Sequence, residues 1–306
     1  MREASLAPPS RGEALVRSRF GAISRGTEAL VAAGEVPEAE RARMRAPFQE
    51  GDFPFPVKYG YSVAGHVEDG PEDWVGRAVF CLHPHQDRFT VPLEALRVIP
   101  ADVPPARAVL AANMETALNI VWDAGIQPGD RIAIVGAGVV GLLTGYLAAA
   151  IPGTEVTLVD VDPARAACAS LIGVPFAPPA RAPADCDTVI HASGSPAGLS
   201  TALACAGFEA RVVEASWYGD RDVPAPLGRS FHSQRLTLLS SQVGHVPPGR
   251  RARWSHSRRL DLALALLADA RLDALISGET GFSDLPDAYL GILRDRQTLC
   301  HRIAYT

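Results

Sequence analysis

The stretch RIAIVGAGVVGLLTGYLAAA, Arg131 to Ala150, decides how this chain is read. A short apolar run, Ile132 to Val135, stops at a glycine, as a buried strand does. Glycines follow at 136, 138 and 141, and then an apolar segment of helical length. Gly136 suits the tight turn, Gly138 lets a ligand approach the backbone, and Gly141 permits close packing of helix on strand. A G-x-G-x-x-G pattern alone is weak, but a strand before it and a helix after it make it a dinucleotide-binding fingerprint. The helix start offers free N–H groups and a positive dipole end to a pyrophosphate, which places Val139 and Val140 among the expected cofactor contacts.

Working outward, the next strand, VTLVD, ends at Asp160, where an acidic side chain meets a ribose 2′-hydroxyl. A carboxylate there repels a 2′-phosphate, and Val161 and Asp162 bring no arginine to offset it. NAD is therefore the expected cofactor. Arg165 lies farther on and is expected at the adenine border. DTVIHASGSPAGLSTALACAG repeats strand, loop and helix, and ARVVEASWYG and LTLLSSQVG add strands. Strands alternating with helices imply a parallel sheet with right-handed crossovers. The segment before Pro104 has a different texture. EALVRSRFGAI alternates apolar and polar residues, and YSVAGHVEDG and GRAVFCLHP are short strands ending in turns, which suggests a β-rich domain. The expected organisation is a β-rich domain over residues 1–112, a nucleotide domain over 113–244 and a return to the first domain over 245–306.

Composition sets bounds. The chain has 306 residues, 47% hydrophobic and 21% charged, as a soluble globular enzyme does. A net charge of −5 argues against nucleic acid as a partner, and no apolar run suits a membrane span. The five cysteines are odd in number and form no C-x-x-C pair, against a disulfide framework and a structural zinc lobe. The first residues lack the apolar core of a signal peptide, and a cytoplasmic setting is expected. Lys58 is the only lysine, in FPVKYGYSVAGHVEDG.

The β domain, the nucleotide unit and the short return resemble the medium-chain dehydrogenase/reductase superfamily. The likeness is carried by GYSVAGHVEDG, PGDRIAIVGAGVVG, VDVDPARAACASLIG, VIHASGSP and FSDLPDAYLGIL. It implies an α/β fold, with a GroES-like β-rich catalytic domain and a Rossmann doubly wound parallel sheet. AISRGTEAL is similar to a stretch of the bacteriochlorophyllide dehydrogenase branch. Zinc alcohol dehydrogenases of the superfamily hold their metal with Cys, His-Glu and a further Cys or Glu. Here Ser24, Tyr61 with Ser62, and Ala112 stand at those positions, so the usual zinc site is not expected to form. Cys81, His83 and His85, with Glu115 across a cleft, are the alternative ligand set, disfavoured by Pro84; His83 is expected in a surface loop.

The resemblance implies an oxidoreductase that acts on a small-molecule alcohol or carbonyl in an interdomain cleft. Tyr61 is the first candidate proton donor, with Lys58 lowering its pKa or binding an anion, and His85 is the second. Ser24, Glu28 and Glu115 complete the catalytic candidates. Ala192, Ser193, Ser216, Trp217 and Thr116 join the cofactor contacts, and a homodimer is expected. Two other readings stand beside this one: a quinone or enone reductase using NAD(P)H, and a non-catalytic NAD(H) sensor.

Overall fold

The computed structural model describes residues 3–305. The strands are β1 (Glu13–Ser24), β2 (Glu50–Gly51), β3 (Val57–Lys58), β4 (Val63–Asp69), β5 (Ala78–Cys81), β6 (Arg88–Pro92), β7 (Arg97–Val98), β8 (Arg131–Val135), β9 (Glu155–Val159), β10 (Phe176–Ala177), β11 (Cys186–His191), β12 (Ala206–Glu214), β13 (Thr237–Ser240), β14 (Ile276–Gly281) and β15 (Cys300–Ala304). The helices are α1 (Arg25–Ala33), α2 (Pro105–Ala108), α3 (Ala111–Ala124), α4 (Val139–Ala149), α5 (Arg165–Leu171), α6 (Pro196–Cys205), α7 (Ser230–Ser233), α8 (His256–Ala265) and α9 (Leu285–Arg294). They fall into two compact units, residues 1–112 with 260–306, and residues 113–259. Among the described residues no helix is long and apolar enough to cross a membrane.

The first unit is built on β1. Its alternation buries Ala14 and Val16 with Val63, Val67, Phe89 and Val91. Antiparallel partners run along its length: β6 against Glu13–Arg17, β4 against Leu15–Gly21 and β15 against Phe20–Ser24. The sheet order is β14-β15-β1-β4-β5-β7, with β6 also on β1. The chain leaves β1 at Ser24 and enters α1 directly, so the polar residues that open α1 emerge at the end of the central strand. Helix α9 packs its apolar face, Leu285, Ile292 and Leu293, beside Ile23 and Ile303.

The second unit carries a six-stranded parallel sheet in the order β10-β9-β8-β11-β12-β13. The chain order reverses between β8 and β11, and ligands of doubly wound sheets bind outside the strand ends at such a point. Gly136 sits there with φ 111°, and Gly141 lies so close to it that a Cβ at 141 would stand 1.8 Å from the Gly136 carbonyl oxygen.

A buried cation holds another part of this unit. Arg259 is 1% exposed. Its Nε donates to Glu115 Oε1 at 3.0 Å and its Nη2 to the Val243 carbonyl at 2.5 Å, while Nη1 donates to Asn119 Oδ1. This anchors α3 to the chain at 243 and 259. Removing the carboxylate leaves a buried charge without its counter-ion. Glu115→Ala is expected to lower the unfolding free energy by about 3–5 kcal/mol, measured by urea denaturation. A loss below about 1 kcal/mol would show that the guanidinium finds other solvation.

Candidate functional site

In the first unit the polar residues at the start of α1 gather around Glu28, which is fully buried. The Ser24 N–H donates to its Oε1 at 2.8 Å, and the Tyr289 hydroxyl donates to its Oε2 at 2.7 Å. His85 Nε2 lies 2.9 Å from the same Oε2. Burial raises the Glu28 carboxyl, but the His85 ring, the Tyr289 hydroxyl and the Ser24 N–H outweigh it, and the net direction is downward. Glu28 is thus a fixed carboxylate that also caps its own helix start. The other ring nitrogen of His85, Nδ1, is buried with no hydrogen-bond partner among the described residues.

Tyr61 joins this group. Its hydroxyl interacts with the side chains of Ser24 and Thr27, and its ring meets Tyr59 edge-on at 6.0 Å. Burial pushes the phenol up to about 12; the two hydroxyl partners pull it down and the Glu28 charge adds to the rise. Lys58 is engaged elsewhere: its Nζ donates to a Glu50 carboxylate oxygen and to Gln86 Oε1 at 2.6 Å. This corrects the expectation that Lys58 lowers the Tyr61 pKa, because the ammonium is paired with Glu50 and desolvation governs the phenol.

The residues of the alternative metal set are occupied one by one. Cys81 is buried at the end of β5, and burial pushes its thiol up to about 12. His83 is buried rather than on a surface loop: its ring stacks on Phe89 at 3.8 Å, and its Nδ1 lies 2.9 Å from the Pro84 carbonyl. Two apolar rings, Phe48 and Phe89, pull it inward. Ser62 donates its hydroxyl to the Val109 carbonyl at 2.6 Å. Among the described residues no three His, Cys, Asp or Glu side chains gather in a metal-binding group.

In the second unit, Asp160 ends its strand facing the glycine turn. The Ala137 N–H donates to its Oδ2 at 2.7 Å and the Asp162 N–H to its Oδ1 at 2.9 Å. The turn therefore orients the carboxylate. Val161 is exposed beside it, and Arg165 is buried with its Nε 3.5 Å from Asp162 Oδ2. Ala192 and Ser193 press on the turn, where a Cβ on Gly136 would meet the Ser193 nitrogen at 2.6 Å. Thr116 and Trp217 are partly exposed. Ser216 accepts the Gly194 N–H at 3.0 Å. Glu115 is buried on Arg259, and burial raises its carboxyl against the pull of that guanidinium.

One cluster escaped the sequence reading. His191 and Glu214 end neighbouring parallel strands in register. His191 is fully buried; its Nδ1 lies 2.7 Å from Glu214 Oε2 and its Nε2 2.6 Å from Ser193 Oγ. The Tyr218 hydroxyl donates to Glu214 Oε2 at 3.1 Å, and the Ser216 N–H to Oε1 at 2.8 Å. Burial raises Glu214, but the hydrogen bonds and the His191 ring outweigh it and hold the carboxyl below its ordinary range. The strand-end positions of His191 and Glu214 were visible in the sequence, but their pairing register was not.

No family model matches the sequence. The chain is 24% identical over 207 residues to D-xylulose reductase A of Aspergillus niger, a match over 66% of this chain and 58% of the relative. Its fold is shared with solved alcohol dehydrogenases. The alcohol dehydrogenase of Thermus sp. ATN1 superposes with a TM-score of 0.75 at 21% identity, covering 100% of this chain and 98% of that one. The 2R,3R-butanediol dehydrogenase of Bacillus subtilis gives 0.76 at 15% identity, covering 99% and 95%. A protein of Clostridium scindens described as a zinc-binding dehydrogenase gives 0.78 at 18%, covering 99% and 93%.

The buried His83 ring sets a pH dependence. Burial lowers its pKa to about 4, whereas an unfolded histidine titrates near about 6.5. Between those values the unfolded chain binds the extra proton, so stability rises with pH. The contribution is whole above about 6.5 and lost as pH falls to about 4, roughly 3 kcal/mol in all. Denaturant titrations from pH 4 to 7 are expected to show a shallower acid loss in His83→Leu than in the parent protein. Parallel curves would assign the acid loss to other groups.

Proposed function

We propose that the chain is an oxidoreductase that moves a hydride between NAD(H) and a polar alcohol/carbonyl pair without a catalytic zinc. The observation that carries this reading is the Gly136–Gly141 turn at the reversal of a parallel sheet, with Asp160 oriented toward it by the Ala137 N–H. A bound nicotinamide supplies the hydride. The chain's own part on that side is to hold the dinucleotide. The first-turn N–H groups at Val139 and Val140 have no intrahelical acceptors and suit a pyrophosphate. Each Asp160 oxygen has taken one backbone N–H and keeps acceptor capacity for ribose hydroxyls. Arg165, the first cation that follows in the sequence, lies on Asp162, so a 2′-phosphate would meet the Asp160 carboxylate.

On the substrate side we assign proton donation to Tyr61. A phenol pushed up to about 12 stays protonated near neutrality and can give its proton to a carbonyl oxygen that is becoming an alkoxide. The Ser24 and Thr27 hydroxyls orient it. Glu28, anchored by His85, Tyr289 and the Ser24 N–H, keeps that loop in place. His85, whose Nδ1 is buried without a hydrogen-bond partner among the described residues, is the second candidate on this side. Zinc independence rests on donor chemistry. Serine and tyrosine stand where the zinc enzymes keep thiolate and imidazole. The name of the A. niger relative, D-xylulose reductase, favours a ketose or polyol as the substrate class. The closer likeness to the bacteriochlorophyllide dehydrogenases rests on Ser24 to Glu28 and adds no substrate assignment. A homodimer joined along the exposed edge strand β13 is the assembly we propose.

Protein stripped of metal by a chelator is expected to oxidise NADH with D-xylulose or another ketose in a panel as fast as untreated protein. Tyr61→Phe is expected to lower that turnover by about 100-fold with NADH affinity intact. Activity that returns only with added zinc would overturn the metal-free reading, and unchanged turnover in Tyr61→Phe would remove the phenol from the reaction.

Fluorescence titration is expected to give tighter binding of NADH than of NADPH. Asp160→Ala is expected to weaken NADH by about 10- to 100-fold, the worth of a hydrogen bond to a charged group. Tighter NADPH binding in the parent protein would refute the role given to Asp160.

A further inference from the structure

We propose that Ser193, His191 and Glu214 form a second chemical site, in which Ser193 is a nucleophile toward acyl esters and related phosphonyl electrophiles. The three side chains make a continuous hydrogen-bonded line. Ser193 Oγ lies 2.6 Å from His191 Nε2, and His191 Nδ1 lies 2.7 Å from Glu214 Oε2. The carboxylate can only accept, so Nδ1 carries the imidazole proton and Nε2 presents its lone pair to the serine hydroxyl. Glu214 is itself fixed by the Ser216 N–H and the Tyr218 hydroxyl, which keeps the ring orientation. His191 is fully buried, whereas Ser193 is exposed at the strand end, so the base is shielded and the nucleophile is accessible.

The surroundings are shaped for this line. A Cβ at Gly198 would stand 2.1 Å from Ser193 Oγ and 2.7 Å from His191 Nε2, so only glycine leaves room for the bond between them. Gly198 lies in the first turn of α6, whose N–H groups have no intrahelical acceptors, and Pro196 contributes none. The Gly194 N–H is taken by Ser216 and the Ser195 N–H points at Ser193 Oγ at 3.3 Å. The donors left for a developing oxyanion are therefore those of Ala197 and Gly198.

The reaction closes with water as the second reactant. Ser193 Oγ bonds to the ester carbonyl carbon as its proton passes to His191 Nε2. The carbonyl electron pair moves to oxygen and returns to expel the alcohol, which leaves with that proton. Water then attacks the acyl-serine, gives one proton to His191, and releases the carboxylic acid as Ser193 regains its hydrogen.

The test needs no knowledge of the oxidoreductase substrate. The full-length protein is incubated with a fluorophosphonate, and the adduct is located by peptide mass spectrometry. The expected result is modification at Ser193, absent in Ser193→Ala. Labelling should slow by about 100-fold in His191→Gln. Gly198→Ala, which crowds the Ser193–His191 bond, should slow it in the same direction. p-Nitrophenyl acetate should give a burst of nitrophenolate stoichiometric with protein. Absence of a Ser193 adduct on the parent protein would overturn the proposal, whatever the variants do. So would equal labelling rates in the parent and a His191→Gln protein that melts at the same temperature.

Discussion

The approach of Gly141 to Gly136 is the contact on which the nucleotide side depends. No side chain at 141 could coexist with a carbonyl oxygen that a Cβ would meet at 1.8 Å. Because the space is empty, α4 begins immediately behind β8 and its first N–H groups sit at the reversal of strand order. Gly136 answers to a second neighbour as well, the Ala192–Ser193 backbone at the end of β11. One turn therefore sets the spacing of two strand ends and a helix start. It also directs Asp160, whose Oδ2 is caught by the Ala137 N–H of the same turn.

Buried charge is handled in two ways across the chain. Glu28 and Glu214 each collect several donors, including a histidine ring and a tyrosine hydroxyl, and both are held below the ordinary carboxylate range despite burial. Glu115 has a guanidinium for a partner, yet burial raises it. The contrast lies in the donors: a histidine ring, a tyrosine hydroxyl and a backbone N–H converge on each of Glu28 and Glu214, whereas Arg259 divides its donors among Glu115, Asn119 and a backbone carbonyl. The first two carboxylates accordingly each hold a histidine ring and a tyrosine hydroxyl, and the third holds a helix in place.

The parallel sheet and the β-rich segment were legible from local pattern. RIAIV and VTLVD are apolar runs of strand length closed by a glycine and an acidic residue, and EALVRSRFGAI alternates as a half-buried strand must. The positions of Gly136, Gly138, Gly141 and Asp160 followed from spacing, since they depend on neighbours only a few residues away or on the next strand of a βαβ unit. Side-chain partnerships over long separations were not legible. Lys58 looked poised for Tyr61, three residues on, but the two-strand pairing of β2 with β3 delivers Glu50 to it instead. His83 looked like a surface residue beside Pro84, but Phe48 and Phe89 enclose it from both sides of the sequence.

What the sequence alone determined is the alternation of strand and helix around the nucleotide turn, the glycine turn and the acidic residue that follows it, because each is a short-range consequence of backbone freedom and hydrophobic period. What only the tertiary structure decided is which polar groups meet. His85 reaches Glu28 across 57 residues, Tyr289 reaches it across 261, and His191 meets Glu214 through the register of two parallel strands. The physical reason is that a buried carboxylate or imidazole must find its hydrogen-bond partners wherever packing brings them, and packing is settled by the sum of all contacts, not by the residues on either side.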